Sequence, residues 1–364
     1  MKIVAKKSEL LGALKRVNLI KNGQTLPILD CVLVEADENG NARVVRTNLD
    51  VRISAGFKAE SASKGAVCLP AKTLQGIVEH LEKEITMETE EKRLMLRDES
   101  KVFNMSTFPV DDFPEESEAK GGFKSFDIGC LTLLKALRAT SHNCSTDDSR
   151  KMLNGIHFKK EDNLIIEATD GKSASRYEPE SKILGLYDFI LAKKCGVIEL
   201  LASVDIPEDP EDPEPQCIVK VWKNAVEVEL EQTQLRTKLI EGTYPSIDKV
   251  IPEEFDFTCY VSKQSLINAI KSATAIEPAY ITMELKEASI KILSTSNLGD
   301  YFEYLEAEYS EKELSICFNP DFILSGLAQI GPNIKISLKD GMFPVLFESD
   351  KYKFVAMPLR DGSN

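Results

Sequence analysis

Three stretches of the chain, ELLGALKR (9–16), TLLKALRA (132–139) and SLINAIKS (265–272), are one pattern written three times, and they align without gaps. In each, an apolar pair (Leu10/Leu11, Leu133/Leu134, Leu266/Ile267) precedes an alanine (Ala13, Ala136, Ala269) and a further apolar residue (Leu14, Leu137, Ile270). Apolar positions at i, i+1 and i+4 make one stripe of an amphipathic helix. The next position is basic every time, as Lys15, Arg138 and Lys271, 123 and then 133 positions apart. A period of this length means three copies of one domain-sized unit.

Working outward, other landmarks recur in the same order. Strands are predicted to end in turns at Thr47-Asn48, Thr169-Asp170 and Ser296-Asn297. A second helix is predicted at KTLQGIVEHL (72–81), KKCGVIELLASV (193–204) and PDFILSGLAQI (320–330). Alternating strands follow, among them KRLMLRD, AVEVEL and PVLFES, whose period of two marks half-buried sheet. Each copy then closes on a strand running into proline: Phe108-Pro109, Tyr244-Pro245, Met357-Pro358. The fold class is α+β, each unit carrying two helices packed on antiparallel sheet. Acidic, proline-bearing stretches at 111–122 and 249–257 divide the chain into domains 1–120, 121–252 and 253–364. IPEDPEDPEPQ (206–216) looks like a linker, but the repeat places it inside the second unit as a solvated loop.

Composition narrows the function. Hydrophobic residues make up 43% and charged residues 29%, ordinary for a globular protein. No apolar run approaches the ~20 residues that span a bilayer, and the first residues lack the apolar core of a signal peptide. A cytoplasmic protein with no membrane partner is expected. Eight cysteines are spread evenly without a CxxC pair, which fits reduced, mostly buried thiols. Three scattered histidines (His80, His142, His157) give no metal-ligand spacing, so no metal or other cofactor is expected.

The net charge of −14 argues against nucleic acid until the positions of the basic residues are considered. On a helical wheel of about 100° per residue, Leu133, Leu134 and Leu137 gather on one side, and Lys135, Arg138 and His142 on the other. One such helix is ordinarily just a solvated amphipathic helix. Three sister helices with a basic residue at one register suggest a surface that attracts a polyanion without reading its sequence.

Two rival classes deserve weighing, an enzyme and a repeat scaffold that binds only proteins. DGKS (170–173) lacks the glycine that a P-loop needs five residues before Gly171, where Ile166 stands. No GxGxxG, GxSxG or HExxH occurs, and paired carboxylates such as Asp147-Asp148 are expected by chance among 59 acidic residues.

Between residues 6 and 360 the chain resembles the bacterial sliding clamp family, the β subunit of DNA polymerase III. The resemblance rests on the threefold repeat together with TLPILDCVL (25–33), STFPVDDFP (106–114), LNGIHF (153–158), ATDG (168–171), YPSIDKVIP (244–252) and MPLR (357–360), in that order. It implies a non-catalytic head-to-tail homodimer, a closed ring around double-stranded DNA with helices lining the hole. Its implied partners are the replicative polymerase's catalytic subunit, the clamp loader and other proteins carrying a clamp-binding motif. By resemblance the DNA-facing residues are Lys15, Lys21, Lys72, Arg138, Arg150, Lys151, Lys193, Lys194 and Lys271. A hydrophobic client-peptide pocket is implied at Leu153, Thr169, Gly171, Pro245, Lys249, Val250, Phe322, Val355, Met357, Pro358, Leu359 and Arg360. The subunit interface is implied at Phe103 and Met105 against Ala275 and Ile276. The chain departs from the family pattern after ATDG. There Lys172, Ser173 and Ala174 replace an aromatic or His, then Arg and Leu, making one pocket wall smaller and more polar.

Overall fold

A computed structural model of the chain describes residues 1–20, 26–90, 92–160, 162–180, 183–205, 212–252 and 254–359. The first repeat runs β1 (Lys2–Lys6), α1 (Lys7–Val17), β2 (Cys31–Ala36), β3 (Asn41–Thr47), β4 (Val51–Ser63), β5 (Gly65–Pro70), α2 (Ala71–His80), β6 (Glu84–Glu90), β7 (Arg93–Arg97) and β8 (Val102–Ser106). The second runs β9 (Lys124–Gly129), α3 (Cys130–Ser141), β10 (Gly155–Lys160), β11 (Leu164–Thr169), β12 (Ser173–Tyr177), β13 (Tyr187–Ala192), α4 (Val197–Ala202), β14 (Gln216–Val221), β15 (Ala225–Leu230) and β16 (Thr233–Lys238). The third runs β17 (Phe257–Ser262), α5 (Lys263–Thr274), β18 (Ile281–Lys286), β19 (Ser289–Ser296), β20 (Gly299–Glu308), β21 (Leu314–Phe318), α6 (Pro320–Leu327), β22 (Asn333–Leu338), β23 (Val345–Ser349) and β24 (Tyr352–Ala356).

Strand, helix, four strands, helix, three strands: the same order occurs three times. The strand that opens each repeat is not expected from the sequence. KIVAK, KSFDIG and FTCYVS are short and pass straight into a helix, so no turn residue announces them. The segment 206–216 does fall between α4 and β14, although its residues 206–211 lie outside the described residues.

The chain forms two compact units, Met1–Leu131 with Lys194–Leu239, and Thr132–Lys193 with Ile240–Asn364. Each carries one 12-stranded sheet. In the first, the path β8-β7-β6-β1-β4-β16-β15-β14-β9 has β3 beside β4, with β2 and β5 beyond it. In the second, the order is β13-β10-β11-β12-β24-β23-β22-β17-β20-β19-β18-β21. Each sheet is built across repeats by an antiparallel join. β4 pairs with β16 (Val51↔Thr237 to Ala55↔Thr233), and β12 pairs with β24 (Ser173↔Ala356 to Tyr177↔Tyr352). In both joins, the third strand after a repeat's first helix takes up the last strand of the next repeat.

Helix faces follow the sequence stripe. In the first unit α1 buries Leu10, Ala13, Leu14 and Val17. In the second, α5 buries Leu266, Ala269, Ile270 and Ala273 in a core shared with Ile323, Leu327, Phe347 and Phe354. Gly326 lets α6 lie directly on the Phe354 ring, since a methyl group there would overlap it. All eight cysteines are buried and free, and burial pushes the Cys195 and Cys259 thiols up to about 12, which keeps them unreactive. Among the described residues no helix is long and apolar enough to cross a membrane.

Candidate peptide pocket and basic helix faces

The candidate pocket lies within the second unit and is built on a tight turn. After β11, the Asp170 carboxylate accepts from the backbone N–H of Lys172 and Ser173, each at 2.8 Å. Thr169 Oγ1 donates to Ser173 O at 2.7 Å and accepts from Gly171 N–H at 3.0 Å. Gly171 takes φ +87°, a left-handed conformation that costs glycine least. ATDG is thus a turn signal with a mechanism, and Asp170 is engaged in holding backbone.

Three further segments surround this turn. The Lys172 ammonium lies over the Phe322 ring, 6.0 Å from its centroid. Phe322 stands in the first turn of α6, which Asn319 caps by accepting from Asp321 and Phe322 N–H. Beyond β24, Met357 N–H donates to Lys172 O at 3.2 Å and Leu359 N–H to Cys317 O at 2.8 Å. On the remaining side Leu153, Ala174, Ile190, Tyr244 and Ile247 form a small buried cluster. Thr169 N–H donates to the Tyr244 hydroxyl at 2.9 Å, tying that cluster to the turn.

The residues singled out by sequence divide into two groups. Leu153, Thr169 and Val355 are buried and form the substructure of the site. Val250, Phe322, Met357 and Leu359 remain 38%, 39%, 44% and 39% exposed, although all four are apolar. Pro245 and Lys249 are exposed and Pro358 is half-buried. Apolar groups held open around a rigid turn are what a peptide-binding groove requires. Arg150 joins this group, because its guanidinium lies 3.2 Å from the position a Cβ would take on Gly171. Arg360 lies outside the described residues.

Beneath the pocket is a charged network that the sequence reading passes over. His157 Nδ1 lies 3.0 Å from Glu167 Oε1, and its Nε2 lies 3.0 Å from Asp188 Oδ1. Arg176 donates to Glu167 Oε2 from Nε at 2.9 Å and Nη2 at 2.7 Å, and to Asp248 Oδ1 at 2.6 Å. Lys159 stands 3.9 Å from Asp248. The pairings His157↔Glu167↔Arg176 run straight across β10, β11 and β12, so strand register makes the network. Burial alone would lower the His157 pKa, but the hydrogen bonds and charges of Glu167 and Asp188 outweigh it, and the value ends above the ordinary 6.5. The hydrogen bond from Arg176 lowers the pKa of Asp248.

The repeated basic register is exposed on all three helices, at Lys15, Arg138 and Lys271. Lys72, Lys151 and Lys194 are also exposed, Lys193 is half-buried, and Lys21 lies outside the described residues. In the second unit Lys135 and Arg138 line a groove of about 900 Å³, with Tyr177, Glu180, Gln329 and Lys351. His142 does not belong to this basic face. It follows α3, packs against Phe354 with ring centroids 5.9 Å apart, and burial pushes its pKa down to about 4. The wheel places it among the cations only by extending the helix past its end.

Among the described residues two strands lack the cross-repeat partner that the joining rule of β4–β16 and β12–β24 would give them. β8 pairs only with β7, and β20 pairs with β17 only through Ala307 and Glu308. On β8, Phe103 is half-buried and Met105 is already buried within its own unit. Ala275 is exposed at the end of α5 and Ile276 is half-buried. Beside them on β20, Phe302 and Tyr304 are 62% and 60% exposed, and no sequence signal singles them out.

Family models described as the DNA polymerase III beta subunit match the chain in three consecutive parts. The N-terminal domain matches residues 1–117, the central domain 128–246 and the C-terminal domain 248–360. Proteins named beta sliding clamp from Synechocystis sp. and Haemophilus influenzae are 27% and 26% identical, each over 99% of this chain and 99% and 100% of their own. The crystal structure of a sliding clamp (DNA polymerase III subunit beta) from Bartonella birtlesii, bound to griselimycin, superposes with a TM-score of 0.89. It is 25% identical and covers 99% of this chain and 100% of its own.

Proposed function

The chain belongs to the DNA polymerase III beta-subunit family, and from that membership and the geometry above we propose how its parts divide the work. It is a sliding clamp and processivity factor of the replicative polymerase, a non-catalytic subunit. As a ring it encircles duplex DNA without reading sequence. Its domains are 1–120, 121–252 and 253–364.

The observation that carries the ring is the pair of strands, β8 and β20, that the joining rule leaves over. Each repeat offers a third strand to the last strand of the next, and β4–β16 and β12–β24 satisfy that rule within the chain. The partners left over are β20 at one end of the series and β8 at the other. A second copy supplies the missing strand to each, so two chains joined head to tail close the series. The charges agree: β8 lies beside Arg93, Arg97 and Lys101, whereas β20 carries Asp300, Glu303, Glu306 and Glu308. Phe103, Ala275, Ile276, Phe302 and Tyr304 would line the joint.

Lys15, Lys72, Arg138, Lys151, Lys193, Lys194 and Lys271 would face the phosphates. Retention on DNA by enclosure needs no tight contacts, so an otherwise acidic protein can do it. The groups around Gly171 take a short apolar peptide from the polymerase catalytic subunit, the clamp loader or other clients, with Arg150 and Lys172 at its rim. Action in the cytoplasm follows from the partners.

The test is loading onto nicked circular DNA. A clamp stays bound on dilution and leaves when the circle is cut. Release on dilution, with the circle intact, would overturn the reading.

A further inference from the structure

The pocket wall Tyr244–Val250 is held at two points by one network. At its start the Tyr244 ring stacks on His157, with centroids 4.7 Å apart and planes 17° from parallel. At its end Asp248 is gripped by Arg176, and Lys159 stands near it. His157 and Arg176 share the Glu167 carboxylate. Pro245, Lys249 and Val250 lie on the segment so held. Resting on the pocket reading above, we infer that His157, Glu167 and Arg176 are positioning residues for the client pocket, and that protonation of His157 tightens its grip on peptide.

Both ring nitrogens of His157 face carboxylate oxygens at 3.0 Å. A neutral imidazole has one N–H and can satisfy only one of them; the imidazolium satisfies both. The charged groups converging here are His157 and Lys159 from β10, Glu167 from β11, Arg176 from β12, Asp188 from β13 and Asp248 from the wall. With His157 protonated, three cations meet three carboxylates. Loss of the proton leaves a carboxylate facing a lone pair. Asp188, whose side chain is 81% exposed, can turn to water, but buried Glu167 cannot. The remaining proton therefore sits on Nδ1, and the Tyr244 ring then stacks on a neutral imidazole, so the first point of attachment weakens. The two carboxylates raise the His157 pKa, which puts this change above 6.5.

The test is binding of a labelled C-terminal peptide of the cognate polymerase, measured from about pH 6 to about pH 9. For the unaltered protein, affinity should fall by about fivefold across this range, the low end for coupled sites. His157→Gln should bind at the weaker level throughout, with a flat profile, and Asp248→Asn should weaken binding while keeping the slope. A Met357→Asp control separates the two ideas. If the peptide binds and Met357→Asp abolishes binding, but His157→Gln keeps the unaltered slope and affinity, the inference falls and the pocket stands. If Met357→Asp leaves binding intact, the pocket reading falls and the inference with it. A His157→Gln protein that melts lower at every pH yet binds unchanged has lost only stability, which also overturns the positioning role.

Discussion

The Tyr244 hydroxyl accepts a hydrogen bond from Thr169 N–H at 2.9 Å, and so joins the segment that ends the second repeat to the turn at Gly171. The same hydroxyl donates to Gly155 O at 3.4 Å. One side chain thereby serves two buried backbone groups. Tyr244→Phe leaves the Thr169 N–H buried without a partner, an arrangement that costs about 1–3 kcal/mol. Urea melts should show a loss of that size. Peptide affinity should fall too, because the Gly171 turn is released from one wall.

His142 predicts an acid-side loss of stability. Its folded pKa of about 4 lies below the ordinary 6.5, so the unfolded chain takes up the proton first as pH falls. The native state is therefore penalised progressively between those two values. The penalty reaches about 3 kcal/mol, each unit of pKa difference being worth ~1.4 kcal/mol. His157 works in the opposite sense. Its raised pKa contributes stability below 6.5 that is lost as pH rises through the folded value. Stability against pH should show both slopes, and His142→Gln should remove the acid one alone. Survival of the acid slope in that variant would assign it to carboxylates instead.

Much of this was legible in the sequence, and the rest has physical reasons for being hidden. The stripe at Leu10, Leu14 and Lys15 is local, so its exposure pattern and its two sister helices can be read without knowing tertiary neighbours. ATDG is equally local, since Asp170 and Thr169 bond their own backbone. The His157 network is not local. Its members come from four strands and a distant segment, and strand register brings His157, Glu167 and Arg176 into one row. The histidines therefore read as scattered when counted along the chain. That β8 and β20 lack a cross-repeat partner was hidden for a similar reason, because it depends on which strands pair elsewhere.

The joint between copies should respond to the sign of charge. Phe103→Asp places a carboxylate on β8, which is proposed to pair with a strand bearing Asp300 and Glu303. The added repulsion and desolvation cost roughly several kcal/mol, enough to separate the subunits. Phe103→Lys loses the same apolar group but meets opposite charge, so it should retain more dimer. Sedimentation at micromolar concentration would rank the two. Equal dimer populations would mean that the joint lies elsewhere.

Reversing Lys15, Arg138 and Lys271 to Glu should leave melting unchanged, since all three side chains are exposed. Retention on nicked circles should drop most at low salt, where the Debye length is about 30 Å at 0.01 M and phosphate attraction is least screened. At high salt the variant and the unaltered protein should converge. A constant ratio across the salt series would remove these residues from the DNA-facing surface.

The segment after β24 separates a structural role from a binding role cleanly, because its two roles use different atoms. Its backbone does the structural part: Met357 N–H holds Lys172 O and Leu359 N–H holds Cys317 O. Its apolar side chains stay open to solvent, Met357 at 44% and Leu359 at 39% exposed. Substituting both with Asp keeps every backbone bond and changes only what the pocket presents to a peptide. If these side chains merely finish a sheet, the variant should bind client peptide as before. If they wall the pocket, it should still form dimers and load onto DNA, yet lose peptide affinity by tenfold or more, since each apolar anchor of a small groove contributes ~2 kcal/mol. The second outcome is expected, and a peptide titration run beside gel filtration of the variant decides between them. Full affinity in an intact dimer would place the clients on another surface.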